Sequence, residues 1–487
     1  MDKDLKKLQP AALWSHFAEI CNIPRPSHHE EKIREYVINF AKTHHLDYTV
    51  DEGPNVIIRK PATPGMENRR TIVLQAHLDM VPQKNSDKEF DFEKDPIEAY
   101  IDGEWVTANG TTLGADNGIG ASTILAVLES KELKHGPIEA LFTATEETGM
   151  DGAFALKPGE LKGDILLNLD SETEGELYVG CAGGLDLTAT MKYDTEKIDK
   201  KEFAGYRLEL KGLKGGHSGM EIILQRGNAN KLLARFLRNY QEKLGIMLCD
   251  IDGGGLRNAI PREAFATVAV MKKNEKAFLN AVKKFEKLYI AEYKGIEDSL
   301  SFRAVPATLP AKAINFFDQA NLVDAVYACP NGVVRMSTAM PGLVQTSSNL
   351  SRVVSERGSF KIQCLLRSSM NSEKEDLALT MRTVFELTGA TVKTSGSYDG
   401  WNPNMDSPIL KTMMVGYEKL YGTNPAVMAI HAGLECGIIG GKYPSMDMIS
   451  FGPTIKYPHS PDEKVNIASV EKFWKFLCYT LETAPTK

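Results

Sequence analysis

His77 with Asp79 two residues on, Asp116, the acidic pair Glu146–Glu147, Asp170 and His459 are all of metal-ligand type, and each sits where an apolar run stops. The runs are TIVLQAHLD, TTLGADNG, IEALFTATEE, DILLNLDS and ISFGPTIKYPHS. Side chains at the ends of buried parallel strands converge on one crevice of an open α/β sheet. The pattern therefore predicts five strand ends that bring these His, Asp and Glu side chains together. Such a set makes a poor core and a good oxygen-and-imidazole cage for borderline divalent metals. Two ions about 3.5–4 Å apart need a bridging carboxylate and can share a water. Asp116, at a glycine-flanked turn where backbone can come close, suits the bridge. Asp79 is placed to fix the tautomer of His77. Adjacent Glu146 and Glu147 point in different directions, so one suits a metal and the other a general base toward the shared water, whose pKa the ions bring to about 7.

Singly, each residue has a plainer reading. His77 could be a hydrogen-bonded strand-end histidine, Asp116 the N-cap of the helix after it, Glu146–Glu147 a solvated helix start and Asp170 a turn residue. Together they do not, because burying several carboxylates at one sheet edge without cations carries a large desolvation cost. No HExxH and no CxxC is present, which removes the commoner mononuclear zinc patterns. Gly118-Ile119-Gly120 lacks the third glycine and the acidic residue of a dinucleotide fingerprint, and His217-Ser218 in GGHSG lacks the GxSxG elbow of a serine hydrolase. His28–His29, His44–His45 and His135 read as surface residues.

The elements that must position these groups follow from patterning. Helical spacing marks 30–45, the Gly- and Ala-rich stretch from Asn117, and later 227–243, 274–294, 374–388 and 407–420. Strand-like runs stand at 55–59, 71–76, 138–143, 164–169, 246–251, 264–271, 391–394, 426–430 and 446–451. Residues 84–95 read as a solvated loop. The expected fold is α/β: a discontinuous catalytic domain, 1–184 and 396–487, with a central mixed, mostly parallel sheet flanked by helices, plus an inserted α+β domain at 185–395.

A chain of 487 residues exceeds one ordinary core and fits two or three domains. With 43% hydrophobic and 25% charged residues, it has the composition of a soluble globular protein. The formal charge of −7 and the lack of any Lys/Arg-rich stripe argue against nucleic acid as a partner. No apolar run reaches the roughly 18–20 residues of a membrane span, and the first twenty residues lack the apolar segment of a signal peptide. The seven cysteines are scattered singly with no CxxC, which fits reduced thiols in a cytoplasmic protein; Cys181, in GCAGG, reads as a buried small residue.

HLDM at 77–80, GADNG at 114–118, TEE at 145–147, LDSE at 169–172, KGGHSG at 214–219 and HAGLECG at 431–437 closely resemble the di-zinc aminoacylase/carboxypeptidase-like peptidases. The forms VLQAHLDMVPQK, GTTLGADNGIG, RNAIPREAFAT and GPTIKYPHSPDE look like the aminoacylhistidine dipeptidase branch of that family, and the resemblance covers essentially the whole chain. It implies Asp116 as the bridging ligand, with His77 and Asp170 on one metal and Glu147 and His459 on the other. Glu146 would be the general base and Asp79 the orienting carboxylate, and the Asp116–Asn117 bond would be cis. The insert becomes a lid, serving substrate closure and dimerisation. In it His217 would polarise the scissile carbonyl, while Asn258, Arg367 and backbone near Gly433 would hold the substrate's terminal carboxylate. An Arg fork suits that task because it offers two parallel charge-assisted hydrogen bonds.

The implied activity is a zinc-dependent dipeptidase with two Zn2+ per subunit (Co2+ or Mn2+ as possible substitutes). It would cleave dipeptides, preferentially Xaa-His such as β-alanyl-histidine, through a metal-bridging hydroxide, and would act as a homodimer. An N-acyl amino acid deacylase shares the same cage, a dinuclear phosphoesterase uses similar ligands, and a non-enzymatic metal-binding protein gives no role to a spare glutamate beside a ligand.

Overall fold

Residues Ile72–His77, Ile138–Thr143, Ile165–Asn168 and Asp447–Ser450 are apolar runs without polar alternation, as strands buried on both faces require. In the computed structural model, which describes residues 4–487, they lie side by side and parallel at the centre of an eight-stranded sheet. Their spatial order is Ile138–Thr143, Ile72–His77, Ile165–Asn168, Asp447–Ser450. Val56–Lys60 and Glu176–Cys181 join antiparallel on the two sides, with Asp47–Val50 and Ala426–Ile430 at the edges. The sheet is thus mixed with a parallel centre. Helix Ala115–Glu129 is buried from Asn117 to Leu128, which explains its Ala- and Gly-rich composition.

A second, four-stranded antiparallel sheet runs Ile455–Lys456, Lys464–Asn466, Trp105–Ala108, Ala99–Asp102. Patterning did not mark it, and it holds the loop that carries His459. The candidate ligands therefore do not all stand at parallel strand ends. His77 ends Ile72–His77, and Asp170 and Glu146–Glu147 follow two other central strands within a few residues. Asp116 sits in the first turn of a helix, and His459 belongs to the small sheet.

By their internal contacts the residues form two units. One comprises the chain up to Cys181 with Trp401–Ala429 and Leu434–Lys487, and holds both sheets just described. The other comprises Ala182–Gly400 with Ile430–Gly433. Its sheet is antiparallel, in the order Ser301–Pro306, Phe203–Lys211, Ala264–Met271, Ile246–Gly254, Val344–Glu356, Ser359–Ser368, Gly183–Lys192, Thr391–Tyr398, with Gly332–Met336 paired to Val344–Glu356.

That order splits into two copies of one strand–helix–strand–strand–helix–strand plan. The first runs through Phe203–Lys211, helix Ala229–Leu244, Ile246–Gly254, Ala264–Met271, helix Glu275–Glu292 and Ser301–Pro306. The second begins at Gly183–Lys192 and resumes with helix Phe316–Ala328, Val344–Glu356, Ser359–Ser368, helix Asn371–Leu387 and Thr391–Tyr398. The copies join through their second strands, where Asp252–Gly254 pair with Arg352–Val354. Among the described residues, no helix is long and apolar enough to cross a membrane.

Candidate metal centre and carboxylate-binding groups

The first unit brings five of the sequence-predicted ligands into mutual reach. His77 Nε2 lies 3.1 Å from Asp116 Oδ1 and 3.3 Å from Asp170 Oδ1. His459 Nε2 lies 3.1 Å from Asp116 Oδ2 and 2.9 Å from Glu147 Oε2. Asp116 thus offers one oxygen to each imidazole. Ligand atoms of His77, Asp116 and Asp170, and separately of Asp116, Glu147 and His459, fall within 4.8 Å of one another; a third such group is His77, Glu146 and Glu147. Asp79 Oδ1 is 3.2 Å from His77 Nδ1. The Asp79 carboxylate also accepts from the backbone N–H of Glu146 (2.9 Å) and of Glu147 (3.2 Å), and from Ser27 Oγ at 2.7 Å. One buried carboxylate therefore orients an imidazole and fixes the glutamate turn. The Asp116–Asn117 peptide bond is cis.

The electrostatics are those of an acid cluster short of positive charge. Burial pushes the Asp170 carboxyl up to about 6, helped by Asp116 and Glu147 and opposed by His77. Burial, together with Asp170, Glu435 and Glu147, holds Glu146 well above the usual carboxylate range, although His77 pulls the other way. Hydrogen bonds to Asp116 and Glu147 push His459 up to about 11. Burial opposes charge on His77, but Asp170, Asp116 and Asp79 override it and hold that imidazole well above its ordinary value. Both imidazoles are thus drawn toward the cationic state as counter-charges. Glu147 Oε1 is nonetheless buried without a hydrogen-bond partner, and Asp170 Oδ1 has only its 3.3 Å contact with His77. A buried, unpartnered carboxylate oxygen in a cluster of acids beside two imidazoles fits a divalent metal, which would supply the missing charge and take free lone pairs.

Sequence reasoning missed the side chains behind this cage. Glu435, 1% exposed, accepts from Gln75 Nε2 (2.6 Å) and Thr143 Oγ1 (2.8 Å), and burial pushes its carboxyl up to about 8. Glu30 accepts from the backbone N–H (3.0 Å) and hydroxyl (2.8 Å) of Thr145, whose φ of 55° opens the glutamate turn. Glu463 and Arg25 hold the Asp116 turn. HAGLECG contained the signal for Glu435, as GPTIKYPHSPDE did for Glu463; nothing local marked Glu30 or Arg25. His135, read as a surface residue, is fully buried, its Nδ1 2.7 Å from the Gly136 carbonyl. It spans a turn and takes no part in the cage.

The second unit gathers a different set. His217 Nδ1 accepts from the backbone N–H groups of Gly219 (3.2 Å) and Met220 (3.0 Å). Burial and nearby Arg367 lower its pKa, so the neutral ring keeps its proton on Nε2 and can donate there. Arg367 is 6% exposed with a buried, unpartnered Nε, and its Nη1 donates to Tyr398 Oη at 3.3 Å. A Cβ on Gly219 would lie 3.1 Å from the His217 ring, 3.2 Å from Arg367 Nε and against the His431 carbonyl, so the four residues adjoin. Tyr398 also faces Gly433. Asn258 is exposed on the neighbouring loop, where its carbonyl accepts from Ser218 N–H at 2.8 Å and Asn349 Nδ2 donates to the carbonyls of Arg257 and Ala259. His431, whose Nε2 is 2.7 Å from Ser347 Oγ, joins this group unforeseen; burial, Arg367 and His217 lower its pKa to about 3. An arginine and two neutral imidazoles thus stand together, a chemistry suited to an anion.

A profile of the peptidase family M20/M25/M40 matches residues 73–483. The chain is 47% identical over 484 residues to the cytosol non-specific dipeptidase of Escherichia coli (strain K12), covering 99% of this chain and 100% of that protein. It is also similar to the crystal structure of aminoacylhistidine dipeptidase from Vibrio alginolyticus, with a TM-score of 0.95 and 50% identity over 99% of this chain and 98% of that one. Aminopeptidase PepT from Bacillus cereus shares the fold, with a TM-score of 0.63 at 16% identity over 98% of this chain and 99% of that one.

Proposed function

The chain belongs to the peptidase family M20/M25/M40 and is a metal-dependent hydrolase of peptide bonds; from that premise we propose that it is a cytosolic dipeptidase. Xaa-His dipeptides such as β-alanyl-histidine are its preferred substrates, and two zinc ions, replaceable by Co2+ or Mn2+, are its cofactors. The observation that carries this reading is the meeting of His77, Asp116, Glu147, Asp170 and His459 around one shared carboxylate. The names of the Escherichia coli and Vibrio alginolyticus relatives support the substrate class.

On this reading His77, Asp170 and Asp116 would hold one ion, and Glu147, His459 and Asp116 the second. Metal bound there would supply an acidified water and Lewis acidity toward the scissile carbonyl. Glu146 would take up the attacking water's proton and pass it to the leaving amine. Burial holds its carboxyl above the usual carboxylate range, which suits a group that must accept and release a proton. Asp79 keeps His77 in the tautomer that turns Nε2 toward Asp116 and Asp170. The second unit acts as a lid. His217 donates from Nε2 to the scissile carbonyl oxygen, and Arg367, Asn258 and the Gly433 backbone hold the terminal carboxylate. Assembly as a homodimer through that unit belongs to the same reading.

The test is product release from a panel holding β-alanyl-histidine, other Xaa-His and Xaa-Leu dipeptides, an N-acetyl amino acid and an aryl phosphate, with and without chelator and metal add-back. Chelator-sensitive cleavage of the dipeptides, fastest for Xaa-His, is expected. Turnover of the N-acetyl compound without dipeptide cleavage identifies a deacylase instead, and aryl phosphate turnover alone a phosphoesterase.

A further inference from the structure

The turn into helix Ala115–Glu129 presents four consecutive backbone N–H groups, and one buried side chain takes all of them. Glu463 is 1% exposed. Its Oε2 accepts from Leu113 N–H (2.8 Å) and Gly114 N–H (2.9 Å), and its Oε1 from Ala115 N–H (2.8 Å) and Asp116 N–H (3.2 Å). Arg25, 2% exposed, takes the opposite polarity. Its Nη2 donates to the Gly114 carbonyl at 2.5 Å, and its Nη1 to the carbonyls of Leu78 (3.0 Å) and Asp79 (2.8 Å). Glu463 stands four residues after His459, and Asp79 two after His77. Two buried side chains of opposite charge thus tie together the backbones of the segments that carry His77, Asp116 and His459.

The arrangement asks more of Glu463 than a helix start needs. An N-cap side chain ordinarily takes one orphan N–H; here both oxygens are used twice. A carboxylate can accept at both ends, an amide at only one, so a glutamine of the same shape must turn an NH2 group toward two of the four N–H groups.

We propose that Glu463 is a positioning residue for the metal centre: with Arg25 it sets where the Asp116 carboxylate stands, and thereby the affinity for both ions. This rests on the reading of Asp116 as a ligand shared by two metals. It makes a distinctive demand, because a shared ligand displaced from behind weakens both sites, whereas loss of a terminal ligand weakens one.

The test is titration of the chelator-stripped full chain with CoCl2, followed by calorimetry and by the visible absorption of bound Co2+. Wild type is expected to take two ions, and H459A to lose one of them. E463Q should weaken both by about 10–100-fold, the usual cost of removing a group behind a ligand, with a shifted visible band. E463D, which keeps the charge on a shorter arm, should recover part of the loss. The control is Glu297, another buried carboxylate, which accepts from Lys214 N–H (2.7 Å) and Gly227 N–H (3.0 Å) in the second unit. E297Q should lower the unfolding temperature and leave Co2+ binding unchanged. Wild-type-like binding of both ions by E463Q overturns the inference. So does weakening of a single site, or equal weakening in E297Q. Uptake of only one Co2+ by the wild type removes the shared-ligand reading itself, and the inference with it.

Discussion

Glu146 and Glu147 are neighbours in sequence with separate fates. Glu147 Oε2 meets His459 at 2.9 Å, while Glu146 faces His77 and the acidic groups without an ion pair to His459. The division of roles predicts that Glu146→Ala binds as much metal as the parent and loses roughly 10²–10⁴-fold in turnover, the usual weight of a general base. Asp116→Ala should lose metal as well. Metal content by atomic emission, beside the rate of histidine release, checks both; equal metal loss in the two variants contradicts the division. These residues were legible in the sequence because His, Asp and Glu at the ends of apolar runs are out of place in a core. Arg25 and Glu30 were not, and Glu463 stood in GPTIKYPHSPDE with no role assigned. Each serves backbone groups far along the chain, and an isolated buried charge looks in sequence like any surface charge.

At the level of elements, the central parallel strands were readable because strands covered on both faces are unbroken apolar runs. Strand Val344–Glu356 escaped for the opposite reason. Its buried stretch is QTSSNLS, whose polar side chains have specific partners: Thr346 with Ser368, Ser347 with His431, and Asn349 with the carbonyls that carry the Asn258 loop. The His459 loop was misplaced because its sheet pairs residues near 105 with residues near 465, a contact that no local pattern announces. The turn before helix Ala115–Glu129 offers a sharp check. Gly114 has φ of 70°, and a Cβ there would lie 2.5 Å from Arg25 Nη2, whereas Gly65, with φ of 87°, has nothing within 4 Å. Gly65→Ala should cost about 1 kcal/mol for its backbone conformation alone. Gly114→Ala must also displace the Arg25 clamp and should lower the unfolding temperature of the metal-free protein further. Equal shifts in the two variants contradict the packing described for that turn.

For the whole molecule, the buried acids tie stability to pH and metal. In the metal-free protein, burial raises Asp170 to about 6 and Glu172 and Glu435 to about 8. Groups whose folded pKa lies above the unfolded value bind more protons when folded, so stability falls as pH rises between the two values. The metal-free protein should therefore unfold at a lower temperature at pH 8 than at pH 5, with the decline running from about pH 4 upward. Metal reverses the trend, since its ligands must be deprotonated and its affinity grows with pH. Thermal unfolding with and without zinc across that range shows either opposite slopes, as expected, or a flat metal-free profile, which removes the acid cluster as a source of instability. The two-unit organisation was legible from the change of texture after Gly184. The doubling of the strand plan in the second unit was not, because one copy is inserted inside the other, after Gly183–Lys192.

The most direct measurement is anomalous diffraction at the zinc edge from crystals of the full chain grown with zinc. Two peaks are expected, one bounded by His77, Asp170 and Asp116, the other by Glu147, His459 and Asp116. A single peak, or two peaks without Asp116 between them, contradicts a dinuclear centre built on that carboxylate.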